Sequence, residues 1–198
     1  SDLRARTNPQ INALYDIKKF GNVHLLHMTD CHAQLNPVYY REPSMNMGVG
    51  DAFGKMPHIV GDSLLKAVGV PAGSALAHAF SCLNFEEAAS VYGRLGGFSH
   101  LKVLVDKFRS ERPGALLLDG GDTWQGSGTA LWTNGQDMVD ACLLLGVDVM
   151  TAHWEMTLGA DRVQQIVNSD FSGKVDFIAQ NIKTFDFDEP VFDSFMVK

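Results

Sequence analysis

The chain has 198 residues, of which 45% are hydrophobic and 20% charged, with a formal net charge of −7. That is enough for one α/β domain with a substantial core and short for two. The charges are scattered, so no basic stripe exists to track a nucleic-acid backbone or an anionic membrane. Three cysteines (Cys31, Cys82, Cys142) without a CxxC spacing exclude a disulfide scaffold and a zinc ribbon.

In chain order, the start "SDLRARTNPQ" lacks an apolar h-region, and no apolar run approaches a membrane span, so no membrane insertion is expected. Residues 1–20 read as an irregular lead-in. "NVHLLHMT" (22–29) reads as a buried strand with His27 as a hydrogen-bonded core residue. Residues 36–57, rich in Pro, Gly and Met, read as one long loop of the functional or mobile kind. A helix is expected near 58–69, with Ile59, Val60, Leu64, Leu65 and Val68 on one side, and 70–83 carries no clear pattern. Leu95, Phe98, Leu101, Leu104 or Val105, and Phe108 predict a helix over 94–111. After it come a strand at 115–119, a helix at 135–146 closed by glycine, a strand at 147–152, a helix at 160–169 and a strand at 175–181. This β-α-β alternation predicts a layered, largely parallel sheet, in which ligands gather at the carboxyl ends of strands.

Three of those strand ends carry unusual chemistry. The first ends in Asp30-Cys31-His32, the second runs into "GGDTWQGS" with Asp122, and the third ends in "TAHWEMTLG" with His153, Trp154 and Glu155. A lone Asp there commonly caps a turn, and a lone His is commonly packed. Three successive strand ends bearing Asp and His are hard to assign to capping. In an extended segment alternate side chains share a face, so Asp30 and His32 point together and Cys31 points away. With Asp122 and His153 they form an oxygen/nitrogen site suited to manganese, iron or zinc. Asp122 is the natural bridging carboxylate for two cations, an arrangement suited to hydrolysis of a phosphorus or sulfur oxo-anion.

The motifs "DxH" and "GGDxxxG", with a third cluster in the place of "GNHE", resemble the calcineurin-like metallophosphoesterases of the 5′-nucleotidase branch. "FGNVHLLHMTDCHAQLNPVYYREPSMNMGVG", "GRLGGFSHL", "LLLDGGDTWQGS" and "HWEMTLG" are more closely similar to the thiosulfohydrolases of the bacterial Sox sulfur-oxidation system, over most of positions 20–182. The resemblance implies a layered α/β/β/α sandwich, of which residues 1–198 form the N-terminal part of the catalytic domain. It implies two manganese ions, with zinc or iron as alternatives, held by Asp30, His32, Asp122 and His153. It implies a partner, the carrier protein SoxYZ bearing a cysteine S-thiosulfonate, from which sulfate is released, and a periplasmic location. The third motif departs from the nucleotidase pattern: His153 stands at the asparagine ligand, Trp154 at the histidine, and Thr157 where nucleotidases carry an aspartate. A nucleotidase expels an alkoxide that benefits from acid help, whereas a persulfide is far less basic, so Trp154 is free to shape the pocket.

Other residues carry open alternatives. Arg41 is a candidate sulfonate contact, although solvated loop arginines are commoner. Trp124 and Gln125 line the entrance, or Trp124 is packed. Glu155 orients a ligand or caps the following helix, and Asn181 lies near the crevice or serves a turn. The family completes its site with histidines from later "GH" and "GHTH"-like elements. No histidine follows His153, and His24, His58, His78 and His100 do not fit those contexts. The expectation is therefore an N-terminal portion of a longer enzyme, itself without turnover. The alternatives are a 5′-nucleotidase or other phosphoesterase, and a non-catalytic metal-binding fragment.

Overall fold

The structure is a computed structural model that describes residues 16–39, 48–77 and 85–198, with no side-chain detail at 85–88. Backbone contacts divide the chain into two units, one comprising residues 1–18 and 38–95, the other 19–37 and 96–198.

The second unit is built on a four-stranded parallel sheet. Its strands are β1 (Leu25–Met28), β4 (Leu116–Asp119), β5 (Val149–Met150) and β6 (Asp176–Phe177), in the order β1-β4-β5-β6. Register partners share a face. Leu26 and Leu117 share one face with the row Met28, Asp119, Met150, Phe177. The helices pack against that face: α3 (Phe98–Glu111), α5 (Gln136–Leu145) and α6 (Ala160–Gln165), which continues into a π turn at Ile166–Asp170. The short α4 (Gly128–Trp132) precedes α5. Phe98 and Val105 of α3, Met138, Val139, Cys142 and Leu145 of α5, and Val163 of α6 are buried in one cluster with Met28, Leu117, Met150 and Phe177. These are the helical spacings that present one apolar stripe. Gly146 ends α5 in the left-handed conformation (φ 83°), and the Val147 N–H reaches back to Cys142 O at 3.1 Å, so β5 begins at once.

The opposite sheet face is more open. Leu25 is 56% exposed, His27 is exposed, and Leu116 and Leu118 are half-buried. This corrects two expectations. The segment 22–29 is not buried on both sides, because among the described residues β1 pairs only with β4, and its residues alternate in exposure. His27 therefore projects outward and is not a core histidine.

The first unit contains α1 (Gly61–Val68), inside the expected 58–69 helix, with Ile59 and Leu65 buried. It also contains α2 (Phe85–Tyr92) and an antiparallel pair, β2 (Val38–Tyr39) with β3 (Arg94–Leu95). Arg94 lies over the Tyr39 ring at 5.5 Å. The pair corrects two readings: residues 36–57 are not wholly irregular, and the 94–111 helix begins only at Phe98, after two glycines with positive φ. Residues 40–47 and 78–84, and with them Arg41, His78 and Cys82, lie outside the described residues.

Candidate metal centre

The sheet fixes where the chemistry falls. The last paired row is Met28, Asp119, Met150 and Phe177. Asp30 follows Met28 by two residues; Asp122 and His153 follow Asp119 and Met150 by three. All of them leave the carboxyl edge of one sheet, where ligands of open α/β sheets collect.

The first two loops are zipped together by backbone hydrogen bonds. Asp30 N–H donates to Gly121 O at 2.9 Å, His32 N–H to Asp122 O at 3.0 Å and Ala33 N–H to Thr123 O at 3.0 Å. The segment is not extended as expected, since Asp30, His32 and Ala33 all have φ near +50°. Asp30 and His32 still face the same way, but because the chain coils left-handed over the second loop rather than because a strand alternates. Asp122 is left-handed too, at φ 59°. Four such residues without glycine in one place mark strain of the sort found at functional sites.

Glycines let the loops approach. A Cβ on Gly121 would lie 2.7 Å from His153 N, and one on Gly126 would lie 2.6 Å from His32 O. The "GGDxxxG" pattern is therefore a steric requirement, because it lets the second loop touch the third on one side and the first on the other.

Asp122 stands at the centre. Its side chain is only 6% exposed, and its Oδ2 lies 3.3 Å from His32 Nε2 and 3.2 Å from His153 Nδ1. Gln125 Nε2 donates to its other oxygen. Asp30 Oδ1 is 3.9 Å from His32 Nε2, and Thr29 Oγ1 donates to Asp30 Oδ2 at 2.6 Å. One ligand atom from each of Asp30, His32 and Asp122 lies within 4.8 Å of the others. His153 joins this group through Asp122 alone. The four residues expected as ligands are thus brought together, with one carboxylate shared between two imidazoles. Two carboxylates and two imidazoles are a donor set that manganese, iron or zinc would accept, so the residues fit a metal centre.

Cys31 is not among the residues whose ligand atoms cluster here. Cys31 packs half-buried, and burial, with Asp119 nearby, pushes its thiol up to about 11. Burial raises the Cys142 thiol as well.

Two fully enclosed carboxylates support the site. Asp119, at the end of β4, accepts from Gly121 N–H at 3.0 Å and from Thr123 Oγ1 at 2.9 Å. Burial lifts its carboxyl to about 6, against the pull of those two donors. Sequence reasoning passes over Asp119; the available signal is its place three residues before Asp122. Glu155 makes no side-chain cap of a helix. It is wholly buried and accepts backbone N–H groups from Thr123 (2.7 Å), Trp124 (3.4 Å) and His153 (2.7 Å).

The remaining candidates separate. Trp124 is packed, not at an entrance: it is fully buried, edge-on to Phe171 at 5.4 Å. Trp154 is 57% exposed and meets the His153 ring edge-on at 6.4 Å. Thr157 donates its hydroxyl to Trp154 O at 2.7 Å. Asn181 is exposed in the turn after β6.

No family model and no curated protein matches the chain. Among solved structures, SoxB of Thermus thermophilus, described as a sulfate thiohydrolase in complex with glycerol, is 35% identical over 90% of this chain, with a TM-score of 0.63. The chain is SoxB-like. It spans 33% of that structure's length. The calcineurin-like phosphoesterase YfkN of Bacillus subtilis is also similar, at 16% identity over 86% of this chain and 40% of its own, with a TM-score of 0.49. The expected mixed α/β architecture on a parallel sheet is the one the described residues adopt.

Proposed function

We propose that this SoxB-like chain carries part of the centre of a two-metal hydrolase of the metallophosphoesterase superfamily that removes the sulfonate from a cysteine S-thiosulfonate on a carrier protein. The observation that carries the reading is Asp122 Oδ2 shared between His32 and His153, with Trp154 beside His153. In the reaction, water oxygen bonds to the sulfonate sulfur and the S–S bond breaks. The electron pair leaves with the carrier's sulfur as a persulfide anion, and sulfate and two protons are released.

Asp30, His32, Asp122 and His153 would hold the cations, manganese being our assignment. When bound, such a pair supplies positive charge for the sulfonate oxygens and makes water more acidic. The chain's own part is to fix the donors. Asp122 is immobilised by Gln125 and by the zipped loops, and Gly121 lets His153 close on it. Trp154 offers no proton that titrates near neutrality, which suits a weakly basic persulfide leaving group better than an alkoxide. The carrier would be SoxYZ and the compartment the periplasm. Among the described residues no helix is long and apolar enough to cross a membrane.

The test is sulfate release from a peptide cysteine S-thiosulfonate with added Mn²⁺, compared with phosphate release from a chromogenic ester. It should be run on the chain alone and within any longer polypeptide that carries it. Sulfate release that Asp122→Ala abolishes is expected; preference for the phosphate ester would replace the reading with a phosphoesterase. A second reading follows from the chain's spanning one third of the SoxB structure: alone, it binds metal without turnover. Mn²⁺ uptake without sulfate release would select it.

A further inference from the structure

Glu155 is the side chain that the proposed reaction leaves unexplained. It is a carboxylate with no exposure at all, placed two residues beyond His153. Its partners are backbone N–H groups of two different loops. Oε1 takes Thr123 and Trp124, the two residues that follow Asp122, while Oε2 takes His153. Burying a charge is costly unless donors compensate it, and these three donors point at it from the two loops that bear Asp122 and His153.

We propose that Glu155 is a positioning residue that locks the third loop to the second, and so decides whether His153 stands close enough to Asp122 for both to hold one cation. The proposal rests on the metal-centre reading and adds to it the element on which the His153 side depends. The first loop needs no such lock, since three backbone hydrogen bonds already join it to the second. The described residues show no corresponding backbone pairing between His153 and Asp122; their link is the 3.2 Å side-chain contact plus the Glu155 bridge. The two imidazoles flanking Asp122 are therefore held in different ways: His32 by main-chain bonds at its own residue, and His153 by Glu155, beyond the Thr151 N–H to Asp119 O bond (3.0 Å) that closes the strand pairing.

Both oxygens of Glu155 must accept, and this makes the arrangement testable with one atom. Glu155→Gln keeps the shape but presents an NH₂ group to one loop. With the amide oxygen toward Thr123 and Trp124, the amide nitrogen faces the His153 N–H, donor against donor.

The experiment compares Glu155→Gln with wild type in two measurements: amide hydrogen exchange of the metal-free chain, resolved at single residues, and Mn²⁺ binding by calorimetry. Val163→Ala serves as a control, since it opens a cavity in buried α6, which carries none of the ligands. Glu155→Gln should speed exchange at His153 N–H while Thr123 N–H stays protected, and should weaken Mn²⁺ binding about tenfold. Val163→Ala should lower stability without changing Mn²⁺ affinity. Wild-type affinity in Glu155→Gln, or an equal loss in Val163→Ala, overturns the positioning role. Should Glu155→Gln not fold, Glu155→Asp, one methylene too short to bridge both loops, replaces it, and wild-type affinity there overturns the role equally. A wild-type chain that takes up no Mn²⁺ overturns both this proposal and the metal reading, which separates the two failures.

Discussion

The two ends of the parallel sheet handle charge in opposite ways. At the amino edge Arg109 Nη2 binds Asp148 Oδ2 at 2.6 Å and Gly146 O at 2.7 Å, while Asp148 also accepts Leu117 N–H at 2.7 Å. Each charge there has its counter-charge, and the cluster ties α3 to the starts of β4 and β5. At the carboxyl edge Asp30, Asp119, Asp122 and Glu155 gather with backbone donors, Gln125 and imidazoles around them. One end is neutralised from within and serves architecture. The other is left with concentrated negative charge and nitrogen donors, which a cation would complete.

If that contrast is right, the largest effect belongs to the shared carboxylate. Asp122→Ala should reduce Mn²⁺ affinity by on the order of 100-fold or more, at the upper end of what losing even an indirect partner costs. Calorimetric titration reads this, and retained affinity would break the comparison at its centre. Next comes the close approach of loops. Gly121→Ala would drive a Cβ to 2.7 Å from His153 N at φ 89°, costing roughly 2–4 kcal/mol in urea unfolding and weakening Mn²⁺ binding too.

Asp119 sharpens the comparison through pH. Its folded pKa, about 6, lies above the ordinary 3.8 because of burial. The native state therefore holds the proton more tightly than the unfolded chain. The stabilisation is present in full below about pH 4 and is lost as pH rises through about 6, by up to about 3 kcal/mol. Asp119→Asn removes this titration while its carbonyl still accepts from Gly121 and Thr123. In metal-free protein, the stability difference between wild type and variant should shift against wild type between about pH 4.5 and about pH 7. Denaturation at both pH values measures it. The smallest effect belongs to the amino edge: Arg109→Ala should cost about 1–2 kcal/mol and leave Mn²⁺ affinity untouched. A change in affinity would show that the two ends are coupled.

Much of this was legible from residues alone. The β-α-β alternation after residue 94 gave the strands and helices their order, because apolar spacing differs between the two kinds of element and glycines end them. Asp30, His32, Asp122 and His153 stood out because polar ligands at successive strand ends have few structural uses. Other features stayed hidden. The exposed side of β1 could not be read, since "HLLHM" looks equally apolar whether one face or both are covered. The β2–β3 pair joins segments far apart in the chain, Val38–Tyr39 and Arg94–Leu95, and two-residue strands leave no periodicity. Glu155 was legible as a candidate for orienting a ligand but not as a bridge between two loops, because its partners are backbone groups that any sequence possesses.

The sequence by itself determined which donors exist and on which strand ends they sit, through apolar periodicity and the placing of glycine. Only tertiary structure decided how they meet. Left-handed turns at Asp30, His32 and Asp122, and buried carboxylates at Asp119 and Glu155, depend on main-chain donors arriving from distant segments. Such encounters are set by packing and register rather than by local preference.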